Sequence, residues 1–106
     1  MQHYIDIFGA LANKTRLSIF LLLMESDLCV CEIEDILQVE QSRISHCLKN
    51  LKVAGLIKSI PDGKMKVYSV TEQARKNSIV KGILKEVSLS DELSGRKYKN
   101  GEVRSE

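Results

Sequence analysis

Two cysteines, Cys29 and Cys31, stand two positions apart in the stretch DLCVCEIEDIL, which runs from residue 27 to residue 37. Thiolates bind soft metal ions, and two of them at this spacing can hold one ion between them. A redox pair and a pair of structural cysteines are the alternatives, although the CxC spacing differs from that of the CxxC redox motif. The stretch therefore supports three hypotheses: a thiophilic metal site, a thiol-redox switch and two buried thiols.

The spacing of the two thiols makes a prediction about the backbone around them. Residues two apart on a regular α-helix point about 200° apart, whereas on an extended segment they share one face. The stretch is predicted to enter a short helix near Glu32. We therefore expect an ion held by Cys29 and Cys31 to distort or unwind the N-terminal turn of that helix.

The third cysteine, Cys47, falls among apolar residues of a later helix. An odd number of cysteines argues against a closed disulfide framework. Cys47 is a candidate third donor to the ion, and a plain core cysteine is the competing interpretation. His3 is a weaker candidate than Cys47.

Length and composition predict one compact domain. The chain has 106 residues, of which 43% are hydrophobic, as in ordinary globular proteins. The longest apolar run, IFLLLM from residue 19 to residue 24, is far shorter than the ~20 residues that a membrane span needs. The N-terminus lacks the pattern of a secretion signal. We expect a cytoplasmic protein that does not enter a membrane.

Charge is divided unevenly along the chain. Residues 27–40 contain five acids and no Lys or Arg, whereas residues 41–66 contain six Lys or Arg and one acid. A local cluster of bases is typical of a surface that meets phosphate, and a solvated surface without a partner is the alternative.

Hydrophobic periodicity predicts a mainly α protein with a small β-hairpin. The predicted helices cover residues 3–12, 14–26, 32–37 and 41–53, the strands cover 56–60 and 65–70, and one last helix follows Thr71. The turn sequence PDGK supports the hairpin, because Asp-Gly tolerates positive φ. The order α-α-α-α-β-β-α is that of a winged helix-turn-helix in residues 1–88, and the polar residues 89–106 are expected to be a disordered tail.

Four stretches in this order resemble the ArsR/SmtB family of metal-sensing repressors. They are LANKTRLSIFLLL, DLCVCEIEDIL, EQSRISHCLKNLKVAGLI and DGKMKVYSV, and the similarity extends from Phe8 to Val70. The most specific of them is the CxC at the third helix. The resemblance implies a homodimer that binds operator DNA and releases it when a thiol-seeking ion binds.

Departures from the family pattern narrow the choice of ion. Arsenic-sensing members often have a third cysteine at the position where this chain has Glu34. The cadmium and lead sensors have additional cysteines near the N-terminus, and this N-terminus has none. The zinc-type members use His and acids on the last helix, which has no His in this chain. Two thiols fit trigonal As(III) or Sb(III) better than tetrahedral Zn(II), which takes four ligands. Cd(II), Pb(II) and Zn(II) remain alternatives.

The fourth helix is expected to read double-stranded DNA, because the major groove admits one helix and its N-terminal turns reach the base edges. Arg43 can pair with guanine, and Gln41 can read adenine. The wing lysines should meet the backbone or the minor groove. The predicted DNA-binding residues are Gln41, Ser42, Arg43, Ser45, His46, Lys49, Asn50, Lys64 and Lys66.

Affinity for an inverted-repeat operator calls for two reading helices, about 34 Å apart in a two-fold dimer. The first and last helices offer apolar faces for that dimer, and closure of the monomer core is the alternative use of the last helix. The predicted interface residues are Ile5, Phe8, Ile79, Val80, Ile83, Leu84 and Val87.

These observations lead to one function and two alternatives. We expect a DNA-binding repressor that dissociates from its operator when As(III) or Sb(III) binds Cys29 and Cys31. A repressor that responds to Cd(II), Pb(II), Zn(II) or thiol oxidation is the first alternative, and a winged helix that binds protein, with structural cysteines, is the second. No nucleophile-base-acid set or phosphate loop is present, so we expect neither an enzyme nor a small-molecule substrate.

Overall fold

The computed structural model describes residues 1–87. The helices are α1 (Gln2–Leu11), α2 (Lys14–Glu25), α3 (Val30–Leu37), α4 (Gln41–Val53), α5 (Glu72–Lys76) and α6 (Ser78–Glu86), and the strands are β1 (Ile57–Asp62) and β2 (Met65–Val70). The mainly helical winged helix-turn-helix fold predicted from the sequence is confirmed.

Helix α2 is the centre of the core. Asn13 caps it as predicted, since its side chain accepts a hydrogen bond from the Arg16 backbone N–H at 3.0 Å. Ile19, Phe20 and Leu23 are fully buried, and a helix that is apolar on most of its circumference is expected to be enclosed in this way. The position of α2 fixes where α1, α4 and β2 pack against it.

Helices α3 and α4 form the helix-turn-helix. Helix α3 ends at Gln38, which adopts the left-handed conformation at φ 57°. The predicted apolar stripe of α4 is confirmed, because its buried residues are Ile44, Cys47, Leu48 and Leu51. The opposite side of α4 is thereby left to face solvent or DNA.

The two strands form the wing, an antiparallel hairpin with Ile57 paired to Val70 and Asp62 paired to Met65. Gly63 stands in the turn at φ 64°, where glycine has no steric penalty. An isolated bridge joins Leu28 to Tyr68 of β2. Leu28, just before the cap of α3, thus extends the wing sheet beside β2 by one bridged residue pair.

The single last helix predicted after Thr71 is divided in two. Thr71 caps α5, and the Asn77 side chain accepts hydrogen bonds from the backbone N–H groups of Ile79 and Val80 at 2.9 and 3.2 Å. Asn77 has extended backbone angles. A short polar side chain that bonds the next turn favours a new N-cap over continuation of the helix.

The extent of the domain is seen only up to residue 87. The predicted boundary at residue 88 and the predicted disordered tail over residues 89–106 lie outside the described residues. Within residues 1–87 no single helix is long and apolar enough to cross a membrane. Helices α1 and α2 have the required length and apolarity only when they are counted together, and a bend of 99° separates them.

Candidate metal centre and nucleic-acid interface

The two thiols of the CxC face one another. Cys29 is the N-cap of α3 with extended backbone (φ −90°, ψ 169°), and Cys31 is the second residue of the helix. Their Sγ atoms are 2.9 Å apart. Cys29 lies outside the helix and has extended backbone angles, so the two side chains are not held to the separation of about 200° in a regular helix. The two sulfurs are therefore close together while α3 is intact. The expectation that an ion distorts the N-terminal turn of α3 stays a prediction.

Hydrogen bonds hold the thiol-bearing segment on both of its sides. The Cys29 backbone N–H donates to Oε1 of Glu32 at 3.0 Å. The backbone of Leu28 exchanges two hydrogen bonds with Tyr68, at 3.2 Å and 2.8 Å. Residues 28–31 therefore connect the start of α3 directly to the wing.

The pKa values of Cys29 and Glu32 follow from this geometry. The hydrogen bond with the Cys31 sulfur raises the pKa of Cys29, and burial raises it further. The pKa of Glu32 is lowered, because its carboxylate accepts from the Cys29 backbone N–H. Cys29 is therefore a thiol at neutral pH, and an incoming ion has to displace its proton.

Access to the pair comes from the side of Cys31. Cys29 is buried and Cys31 is exposed. The described residues contain no group of three or more His, Cys, Asp or Glu side chains arranged to hold a metal ion. The two sulfurs are thus the only grouped soft donors in residues 1–87.

Cys47 lies in the core, on the apolar side of α4, and is 4% exposed. Burial raises the pKa of its thiol, and the charges of Arg16 and Arg43 partly offset that effect. The structure does not bring Cys47 together with the other two cysteines into a donor group. It supports the core interpretation of Cys47. His3 is at the start of α1, where its ring contacts Tyr4.

The predicted reading face of α4 is exposed. Gln41, Ser42, Arg43, Ser45, His46 and Lys49 are exposed, and Asn50 is half-buried. The Ser42 hydroxyl donates to Oε1 of Glu40 at 2.9 Å. Nη2 of Arg43 donates to Oγ1 of Thr15 at 3.1 Å, which directs this guanidinium toward the start of α2.

The wing carries its two predicted cations at and beside the turn. Lys64 and Lys66 are exposed. Nζ of Lys52 donates to Oγ of Ser59 at 3.1 Å, which joins the end of α4 to β1. The wing is therefore attached to the helix-turn-helix through Lys52 and, on its other strand, through Leu28.

The predicted dimer residues divide into surface and core. Ile5 and Phe8 are each 51% exposed on α1. Ile79, Ile83, Leu84 and Val87 are half-buried. Val80 is 0% exposed within the single chain, so its side chain contributes to the protomer core and not to a surface.

Sequence reasoning missed Glu32, Leu28 and Tyr68. The spacing of Cys29 and Glu32 matches that of a capping box, a signal that is usually sought only after Ser or Thr. The bridge between Leu28 and Tyr68 joins residues 40 positions apart, and no local pattern indicates it.

Comparison with known proteins decides the family. The family described as "Bacterial regulatory protein, arsR family" matches residues 13–59. A transcriptional regulator of the helix-turn-helix type from Methanocaldococcus jannaschii, MJ1325, is 40% identical over 89 residues, which are 83% of this chain and 91% of that one. The chain belongs to the ArsR family.

Two further ArsR-family relatives are named for metal resistance. A Halobacterium salinarum protein that carries the name of an arsenical resistance operon repressor is 42% identical over 63% of this chain and 54% of its own length. A homologue of the cadmium resistance regulatory protein CadC from Staphylococcus aureus is 34% identical over 74% of this chain and 65% of its own length. The chain thus spans about half to two thirds of these relatives.

The fold of this ArsR-family chain is also that of solved regulators. The homodimeric winged helix-turn-helix DNA-binding domain of Mycobacterium bovis Mb0332 superposes with a TM-score of 0.67 at 22% identity, over 92% of this chain and 85% of that one. The relatives and the fold are those of transcriptional regulators and not of enzymes.

Proposed function

We propose that this chain is a DNA-binding transcriptional repressor that leaves its operator when As(III) or Sb(III) binds Cys29 and Cys31. The observation that carries the proposal is the 2.9 Å separation of the two sulfurs at the base of the wing. A thiophilic ion that bonds each sulfur at about 2.3 Å can bridge them after a small outward movement.

The donor set favours a metalloid over zinc. Two sulfurs are grouped, and no set of three donors is found in residues 1–87. Tetrahedral Zn(II) takes four ligands, whereas two protein thiolates supply most of a trigonal site. The name of the Halobacterium salinarum relative agrees with this choice.

The route from the ion to the DNA runs through residues 28–31. An ion that moves the two sulfurs apart shifts the N-cap of α3, and the Leu28–Tyr68 bridge passes that shift to β2. Helix α3 also packs on α4. The wing and the reading helix would then lose the spacing that fits adjacent grooves.

Operator binding is proposed to require a homodimer. The dimer is proposed to act in the cytoplasm. One chain offers one reading helix, and an inverted repeat of two half-sites needs two. Ile5 and Phe8 of α1 are large exposed apolar side chains suited to pairing with a second copy, together with the half-buried residues of α6. The homodimeric state of Mb0332 supports this arrangement.

The test is DNA binding by fluorescence anisotropy on an inverted-repeat library, with arsenite titrated into the wild type and three variants. Arsenite should release the wild-type protein from the DNA, whereas the Cys29→Ser and Cys31→Ser variants should remain bound at all arsenite concentrations. Cys47→Ser is the matched control and should respond as the wild type does. Release that persists in both Cys29→Ser and Cys31→Ser would place the sensor elsewhere.

A cadmium or thiol-oxidation sensor at the same residues is the second candidate. The cadmium resistance relative supports a cadmium sensor, and the proximity of the two sulfurs supports a thiol-oxidation sensor. Titration of Cd(II), and of hydrogen peroxide with metal excluded, in the same anisotropy experiment separates these effectors from arsenite.

A further inference from the structure

A groove with a volume of about 390 Å³ opens between the thiol pair and the wing. Cys29, Cys31 and Glu34 form the wall on the side of α3, and Lys64, Lys66 and Tyr68 form the wall on the side of β2. Met65 also lines it and is 51% exposed. Lys64 and Lys66 of the wing thus share one cleft with the two sulfurs.

The coordination of a trigonal ion at this place is incomplete. The protein supplies two sulfurs, its third thiol is buried in the core, and no third donor is grouped with the pair in residues 1–87. Cys31 is the exposed member of the pair, so a third ligand would approach on its side, where it meets the solvent and the groove.

We propose that the third ligand is a small anionic thiol, of the chemical class of glutathione, which occupies this groove while its sulfur bonds the ion. This inference rests on the proposed function, since it needs the ion at Cys29 and Cys31. The carboxylates of the thiol pair with Lys64 and Lys66, and its methylene groups lie along Met65 and Tyr68. Glu34 is the one carboxylate in the wall, and it faces the ammonium group of such a ligand.

The reaction is a ligand exchange without a change of oxidation state. Arsenite, As(OH)₃, gives up three As–O bonds, and three S–H bonds break, two on the protein and one on the small thiol. Three As–S bonds form, and three water molecules leave. No oxidant or reductant is consumed.

The occupied groove would also favour release of DNA. Lys64 and Lys66 are the wing cations proposed to meet phosphate, and a ligand that pairs with both removes them from the DNA contact. The small thiol would therefore complete the ion site and compete with the nucleic acid through the same two side chains.

The test uses the full chain loaded with one equivalent of arsenite, into which glutathione is titrated. Native mass spectrometry should detect protein, one arsenic and one glutathione per chain. Glutathione diethyl ester, whose carboxylates are blocked, should bind the loaded protein about three- to tenfold more weakly, because the ester cannot form the two exposed charge pairs.

Variants on the wing localise the effect. In the double variant Lys64→Ala, Lys66→Ala, glutathione and its ester should bind equally, whereas Lys58→Ala, a wing lysine outside the groove lining, should keep the wild-type difference. Arsenite that binds without any ternary species overturns this inference and leaves the proposed function intact. Arsenite that fails to bind Cys29 and Cys31 overturns the proposed function itself.

Discussion

Cys29 and Cys31 lie on either side of a helix boundary, since Cys29 is the N-cap of α3 and Cys31 belongs to its first turn. The N-cap has extended backbone angles, so its side chain is not held to the helical spacing. The hydrogen bond from the Cys29 N–H to Glu32 fixes that boundary. The close approach of the two sulfurs is therefore a property of the cap and not of the helix.

The raised pKa of Cys29 predicts a difference between effectors. Cd(II) has to displace the proton of Cys29, so its affinity should rise with pH, by up to about tenfold per pH unit for that proton. Arsenite exchanges hydroxide for sulfur and takes up the Cys29 proton in the water that leaves, so its affinity should stay nearly constant below the Cys29 pKa. Isothermal titration between about pH 6 and pH 8 measures both slopes. Equal slopes for the two ions would contradict this difference in proton release.

Glu32 gives a second prediction at this scale. Its pKa is lowered in the folded state, because its carboxylate accepts from the Cys29 N–H. A carboxyl group with a lowered folded pKa stabilises the protein above its unfolded pKa, and that contribution is lost as the pH falls through the folded pKa. Glu32→Ala should remove this acid-dependent part, as measured by urea unfolding across pH 3 to pH 7. A pH profile in Glu32→Ala equal to that of the wild type would contradict this role of the carboxylate.

Among the elements, the break between α5 and α6 depends on one side chain. Asn77 accepts two backbone hydrogen bonds at the start of α6. Its replacement by Ala should lower the free energy of unfolding by about 1 kcal/mol. Urea unfolding at fixed protein concentration measures the change, since the stability of a dimer depends on concentration. Asn77→Ser keeps a capping oxygen and should stay close to the wild type, and an equal loss in both variants would argue against a capping role.

The elements also separate what the sequence could predict from what it could not. The stripe of Ile44, Leu48 and Leu51 predicted the buried face of α4, because a period of 3.6 is a local signal. The Asp-Gly pair predicted the hairpin turn for the same reason. Both were confirmed, and both depend only on residues a few positions apart.

The failures occur where two local signals compete or where the contact is distant. Thr71 and the apolar residues after it predicted one helix, and the cap formed by Asn77 outweighed that continuity. Val80 was predicted to face a partner, but its side chain is fully buried within the single chain. The bridge between Leu28 and Tyr68, which joins the candidate site to the wing, depends on the tertiary fold alone.

On the scale of the whole molecule, the exposed side of α4 and the wing are proposed to form one DNA-binding surface. Arg43 belongs to the reading helix, and Lys64 to the turn of the wing. Contacts to base edges give sequence preference, whereas contacts to phosphate give affinity that depends on salt. Removal of the Arg43 side chain should therefore change sequence preference, whereas removal of the Lys64 side chain should change affinity for all sequences.

Arg43→Ala should weaken discrimination at one guanine position of each half-site by about 1–3 kcal/mol. Lys64→Ala should weaken binding to all sequences and lower the salt slope of log K by about one for each phosphate that the lysine no longer neutralises. Anisotropy titrations on operator variants at several salt concentrations distinguish the two patterns. A relaxed sequence preference in Lys64→Ala, or an unchanged one in Arg43→Ala, would contradict these roles.

The placement of Cys29 outside α3 also bears on how quickly a cell could respond. Because the two sulfurs already face each other, capture of an ion does not have to wait for a turn of helix to open. In stopped-flow mixing, the observed rate of capture should increase in proportion to the ion concentration and reach no plateau. The delay before a controlled gene is transcribed would then depend on the arrival of the ion and the departure of the DNA.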